Sequence, residues 1–219
     1  MHHLYLALDG RDFDAALQAM WERAPAPASR WRRQAVCVWL SGTLARPFVF
    51  GPIKGLKGWG EAHEAAAASA QAICGFEGPC AASLESDPSM GATLATAVER
   101  GVIQALERGA SERHYRLASV RPAWALACEP TEQLAAEGAG LLCVGEGDAL
   151  TVLAGTANQI LFAATYAPPP TDSDLNGLLQ RLMVSVGVGG RPAMARLSAD
   201  AHQGKPQLRW ASSTYEQSA

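Results

Sequence analysis

His63 and Glu64 open a stretch the way a zinc-protease helix opens, where a second histidine four residues on would complete the metal face. That position is Ala67, so the two are read as a solvent-facing pair on an alanine-rich helix. The run 186–190, Val-Gly-Val-Gly-Gly, has the glycines of a dinucleotide loop but follows a helix, which is the wrong context for one. Cys143 would act as a nucleophile only beside a histidine or carboxylate, and its place at the end of an apolar run reads as core. Ser41-Gly42 lacks the Gly-x-Ser-x-Gly pattern of a nucleophile elbow. Two turns that combine glycine with acids remain: Asp9-Gly10, and Gly145 to Asp148 with Glu146 and Gly147 between them.

The second of these turns sits in the most regular stretch of the chain. Residues 140–145, 149–154 and 158–166 are three apolar runs, separated by Gly145–Asp148 and by 155–157, and they read as a three-stranded meander. Before it come a short strand over 4–8 and a helix capped by Asp12, with Phe13, Leu17, Met20 and Trp21 on one face. A buried strand over 34–40 turns at Ser41–Thr43 into a second over 46–50, which Pro47 places at an edge or at a strand start. An alanine-rich helix over 61–74 presents Ala62, Ala66, Ala70 and Ile73, and a weaker strand over 79–84 follows. Leu94, Val98, Val102 and Leu106 recur every four residues and predict a helix over 91–108 ended by Gly109. A strand over 115–120, a short helix from Pro122 and a helical turn over 131–137 lead into the meander. After it come a helix capped by Asp172 or Ser173 with a leucine-rich face, closed by 187–190, and a strand over 194–198. From Ala199 on, polar residues without periodicity predict a frayed tail. Strands and helices alternate in two blocks, which is an α/β chain with mixed sheets flanked by helices.

Composition bounds the function. The chain has 219 residues, 48% apolar and 18% charged, with a net charge of −3. That is globular, and it carries no overall basic footprint for nucleic acid. Arg30, Arg32 and Arg33 cluster around Trp31 and read as a solvated strand entry. The five cysteines form no Cys-x-x-Cys motif and read as small core residues in a reducing compartment. The N-terminal residues lack a signal-peptide pattern and no run is long enough to span a membrane, so a cytoplasmic location without direct membrane insertion is expected. Trp59, in a Gly-rich loop, is the candidate partner contact.

Residues 97–106, a polar turn and residues 115–126, followed by the meander, make the chain resemble small actin-like proteins of bacterial envelope machines. These are the pilus assembly protein M family and the cytoplasmic part of the type II secretion protein L family. The resemblance covers about residues 34–198. It implies two ribonuclease H-like (actin-like) subdomains: 1–120, a crossover over 121–137, then 138–200, with 201–219 as a flexible tail. It also implies that the first turn of the meander stands where active members hold phosphate with an Asp-x-Gly loop. Superposed on that pattern, Cys143 takes the place of the aspartate, and a thiol does not hold hydrated Mg²⁺. Leu8-Asp9-Gly10-Arg11 echoes the other phosphate loop, with a helix where a hairpin is expected.

The resemblance implies a non-enzymatic cytoplasmic adaptor without a cofactor. It would bind a segment of a membrane-anchored pilus or type II secretion component, by strand addition or in a groove between subdomains, and would reach the inner membrane through that partner. The alternatives are an actin-like ATPase that binds ATP with Mg²⁺ through Asp9, Gly145, Gly147 and Asp148, and a self-associating structural protein, a homodimer included.

Overall fold

The computed structural model describes residues 1–26, 33–128, 140–156, 159–187, 192–199 and 204–210. In chain order the described elements are β1 (His2–Leu6), α1 (Phe13–Glu22), β2 (Gln34–Leu40), β3 (Ala45–Phe50), α2 (Trp59–Cys74), β4 (Cys80–Leu84), β5 (Thr93–Glu99), α3 (Arg100–Glu112) and β6 (Tyr115–Pro122). A 3-10 turn (Ala123–Ala127) precedes β7 (Gly140–Gly145), β8 (Leu150–Thr156), β9 (Gln159–Tyr166), α4 (Asp172–Val186), β10 (Ala193–Ala199) and β11 (Pro206–Trp210). The Arg30–Arg33 cluster apart from Arg33, the helical turn over 131–137 and the glycines at 189 and 190 lie outside the described residues.

The strands form three sheets, ordered β1-β2-β6, β3-β5-β4 and β11-β10-β7-β8-β9. The first is parallel throughout. Its middle strand β2 is buried from Val36 to Leu40, as a strand covered on both faces must be. One face, with Leu4, Leu6, Val36, Val38 and Leu40, packs against Met20 and Trp21 of α1 and Val102 and Leu106 of α3. The other face carries Cys37 and Trp39, which join Trp124 from the 3-10 turn and Leu142, Val144, Leu153 and Leu197 of the five-stranded sheet in a single core. Leu141 and Cys143 point the opposite way and meet Leu179 and Leu182 of α4. The period-two alternation along β7 thus feeds two cores. The chain is α/β, with two large sheets sharing an apolar layer and helices on their outer faces.

The third sheet packs Phe48, Phe50, Ala95 and Ala97 on Ala66 and Ala70 of α2. β3 is an edge of that sheet, one of the two placements Pro47 allowed. Ile73 does not join the buried face of α2 and is exposed. The buried stripe follows the four-residue ridge Ala62, Ala66, Ala70, Cys74, which leaves Ile73 to one side.

Four further expectations are corrected. Residues 93–99, expected as helix, are strand β5, because a four-residue repeat is also a multiple of the strand period. Thr93, Ala95 and Ala97 alternate onto the buried face there. Gly109 does not end α3, which runs on to Glu112; Gly109 is a contact point instead, since a Cβ there would overlap the Trp21 indole. The cap of α4 is Thr171, whose side chain accepts the Asp174 N–H at 3.4 Å. Within the expected tail, Pro206–Trp210 form β11, antiparallel to β10.

Candidate functional site

Three turns meet where the first and the five-stranded sheets adjoin. β1 and β2 are parallel neighbours with Leu6 opposite Leu40, so the turns after them leave the same edge. The turn after β1 is closed by Arg11 N–H on the Leu8 carbonyl at 2.8 Å, with Asp9 and Gly10 both at positive φ, 46° and 76°. The turn after β2, Ser41–Thr43, is anchored by Ser41 N–H on the Leu6 carbonyl at 2.9 Å. The third turn joins β7 to β8 and is closed by Glu146 N–H on the Ala149 carbonyl at 2.8 Å.

The third turn reaches into the other two. Asp148 Oδ2 accepts Leu8 N–H at 3.0 Å and the Ser41 hydroxyl at 3.1 Å. Glu146 Oε2 accepts Gly42 N–H at 2.7 Å and the Tyr5 hydroxyl at 3.3 Å. Gly147 gives room for Asp9, whose Oδ1 lies where a side chain at 147 would begin. Gly42 is equally constrained, because a Cβ there would meet Thr151 and Thr165, which hydrogen-bond each other at 3.0 Å. Arg46 braces the middle turn: Nε donates to the Thr43 carbonyl at 3.1 Å, a second nitrogen donates to the Cys74 carbonyl at the end of α2, and the guanidinium sits 4.6 Å from the Phe76 ring centroid.

Burial sets the electrostatics. Glu146 is 8% exposed. Burial pushes its carboxyl up to about 8; the Gly42 N–H and the Tyr5 hydroxyl act against this, and the nearby Asp148 and Asp9 add to it. The Tyr5 hydroxyl is pushed up as well, first by burial and then by the charge of Glu146. Glu146 Oε1 and Asp148 Oδ1 are buried without hydrogen-bond partners among the described residues.

Of the residues expected from the sequence, Asp9, Gly147 and Asp148 come together here, while Gly145 belongs to β7 and borders Ala195 and Arg196 of β10. Asp148 crosses from its own turn to Leu8 and Ser41. Trp59 is elsewhere, 50% exposed at the start of α2, with its ring 5.8 Å from that of His63. His63 donates from Nδ1 to the Ala82 carbonyl at 3.0 Å. Cys143 is a buried thiol pushed up to about 12 by burial, the opposite of an activated nucleophile. Cys37, Cys74, Cys80 and Cys143 are free thiols. Tyr5, Ser41, Gly42 and Glu146 were not legible as site residues. The one signal was a glutamate between two glycines directly after an apolar strand.

ATP with Mg²⁺ does not fit these residues. A phosphate held by turns needs free backbone N–H groups, and those of Leu8 and Gly42 are taken by carboxylates. The turns read Leu40-Ser41-Gly42 and Gly145-Glu146-Gly147, so neither has the Asp-x-Gly pattern. Among the described residues no group of three or more His, Cys, Asp or Glu is placed to share a metal ion.

No protein-family model matches the chain. No curated protein matches it either. Among solved structures it is similar to a Bacteroides thetaiotaomicron protein described as having an actin-like ATPase fold and unknown function, at 10% identity over 85% of this chain and 77% of that one, with a TM-score of 0.54. It is more loosely similar to a chain of the PilM–PilN type IV pilus biogenesis complex, at 14% identity over 80% of this chain and 55% of that one, TM-score 0.48. The cytoplasmic domain of EpsL, an inner membrane component of the type II secretion system of Vibrio cholerae, gives 13% identity over 86% and 76%, TM-score 0.42. Identities this low bear on fold alone, and the last two likenesses, with TM-scores under 0.5, carry no argument. The expected architecture is met: this chain has an actin-like, ribonuclease H-like α/β fold.

Proposed function

We propose that this chain is an actin-like scaffold without a nucleotide cycle, a cytoplasmic adaptor that binds a segment of a membrane-anchored partner. One observation carries this reading. The N–H and hydroxyl donors that a phosphate would need are satisfied by Glu146 and Asp148 from the facing turn. The chain's own carboxyl groups occupy the donors a phosphate would take and hold the halves together, and the core that joins Trp39 and Trp124 to Leu142 and Val144 resists the opening a nucleotide cycle requires. No helix among the described residues is long and apolar enough to cross a membrane. The partner class, a pilus or type II secretion component, rests on the sequence resemblance.

Thermal unfolding with and without Mg²⁺ and ATP tests the reading. Ligand at about one hundred times its Kd would raise the melting temperature of a chain this size by about 5–10 °C. The expected result is no shift at millimolar ATP. A shift of that size, lost in Asp148→Ala, overturns the adaptor reading in favour of an ATPase.

A further inference from the structure

Trp39, buried near the end of β2, has cations gathered around its ring. The Arg121 guanidinium carbon lies 5.8 Å from the ring centroid and the Lys205 ammonium 5.6 Å. The His3 ring lies 6.3 Å away, tilted by 31°, and its Nδ1 accepts the indole N–H at 3.2 Å. Strand register places them. Arg121 is the β6 partner of Trp39. His3 stands two residues before Tyr5, the β1 partner of Trp39, and so shares its face. Lys205 follows Gly204, whose backbone packs on the His3 carbonyl.

Arg121 and Lys205 are both exposed, and among the described residues neither has a carboxylate within ion-pair distance. Burial, and then the positive charge of Lys205, hold the His3 imidazole below its ordinary value, and Arg121 and His2 act in the same direction. A chain with net charge −3 thus keeps a local cluster of cations that has no counter-charge among the described residues. Its acids Asp9, Glu146 and Asp148 are committed to the facing turns instead. Like charges gathered around one ring repel, and an anion that pairs with them lowers that cost. The Trp39 face also restrains both long side chains, which lowers the entropy lost on pairing them.

We propose that Arg121, Lys205 and His3, arranged on Trp39, form a docking site for an acidic peptide segment of a partner protein. This deepens the adaptor reading and rests on it. The Arg121 fork takes a carboxylate in its plane and Lys205 takes a second as a point charge. Nucleic acid fits less well, because single strands bind through exposed aromatic stacking platforms and Trp39 is buried.

The test is anisotropy of a fluorescein-labelled hexaglutamate peptide with the full chain at low ionic strength, with hexalysine as a control. The double variant Arg121→Gln/Lys205→Gln is expected to weaken hexaglutamate binding by about tenfold or more. Arg108→Gln/Arg116→Gln removes two exposed cations elsewhere and is expected to change it less than about twofold. In the wild type, bound peptide raises the His3 imidazole titration seen by NMR. Equal losses in the two double variants, no binding at low salt, or tighter binding of an oligothymidylate lost in the same variant each overturn the proposal. A peptide failure with no Mg·ATP shift refutes this site alone, whereas an ATP shift lost in Asp148→Ala refutes the adaptor reading itself.

Discussion

Glu146 Oε2 accepts the backbone N–H of Gly42 at 2.7 Å across 104 residues of sequence, and the same oxygen receives the Tyr5 hydroxyl. A buried donor left without its acceptor costs more than an ordinary hydrogen bond gains. Glu146→Ala is therefore expected to destabilise the fold by about 2–4 kcal/mol at neutral pH, because it strands both donors at once. Glu146→Gln keeps an acceptor for Gly42 and is expected to cost less than about 1 kcal/mol. Urea unfolding of the three proteins checks the order, and equal losses in the two variants would refute the role given to this oxygen.

Two glycines of α3 should respond to alanine with opposite signs. A Cβ on Gly101 meets nothing within 4 Å, so Gly101→Ala is expected to gain up to about 1 kcal/mol from helix propensity and a less free unfolded chain. A Cβ on Gly109 would overlap the Trp21 indole, which is buried and stacks on Tyr115 with ring centroids 6.3 Å apart. Gly109→Ala is expected to lose about 1–3 kcal/mol through overpacking despite the same propensity gain. Melting temperatures settle the signs, and a stabilised Gly109→Ala would mean that Trp21 moves aside freely.

The same helix shows where sequence stops informing structure. β2 and the meander are legible because apolar runs bounded by glycine turns have few other ways to fold. β5 is not, because Leu94 and Val98 satisfy strand and helix periods alike, and only the neighbours β3 and β4 select the strand. β11 is not, because a short polar strand is defined by its partner β10. The site is the extreme case. Gly145–Asp148 was legible as a turn, but its carboxylates find their donors at sequence separations of 104 to 141 residues, and no local pattern encodes that.

Arg46 ties the middle turn to the third sheet. Its guanidinium donates to the Thr43 carbonyl before it and to the Cys74 carbonyl at the end of α2, and lies over Phe76. Lysine keeps the charge but cannot donate in both directions from one plane. Arg46→Lys is expected to lose about 1–2 kcal/mol and Arg46→Met about as much, because geometry rather than charge is at stake. Hydrogen exchange should show faster opening at the C-terminal end of α2 in both variants. Full retention of stability in Arg46→Lys would instead identify a simple charge effect.

The raised carboxyl of Glu146 fixes the sign of a pH effect. Its folded value, about 8, stands above the ordinary 4.5. Between these limits the unfolded chain releases the proton and the folded chain retains it, so stability falls as pH rises from 4.5 toward 8 and levels off beyond. The total is on the order of a few kcal/mol. His3 works the other way: its imidazole is held below 6.5, so its contribution is lost as pH falls below 6.5 and is constant above. The raised thiols of Cys74 and Cys143 add a fall of their own only where unfolded thiols ionise, toward their ordinary value of 9.0. The interval from about pH 6.5 to 8 therefore isolates Glu146. Urea midpoints of the wild type are expected to decline across it while those of Glu146→Gln stay level, so that the wild type's advantage over the variant is largest toward acid pH and shrinks as pH rises. Parallel curves would show that Glu146 is ionised throughout, and that the facing turns hold a charged carboxylate.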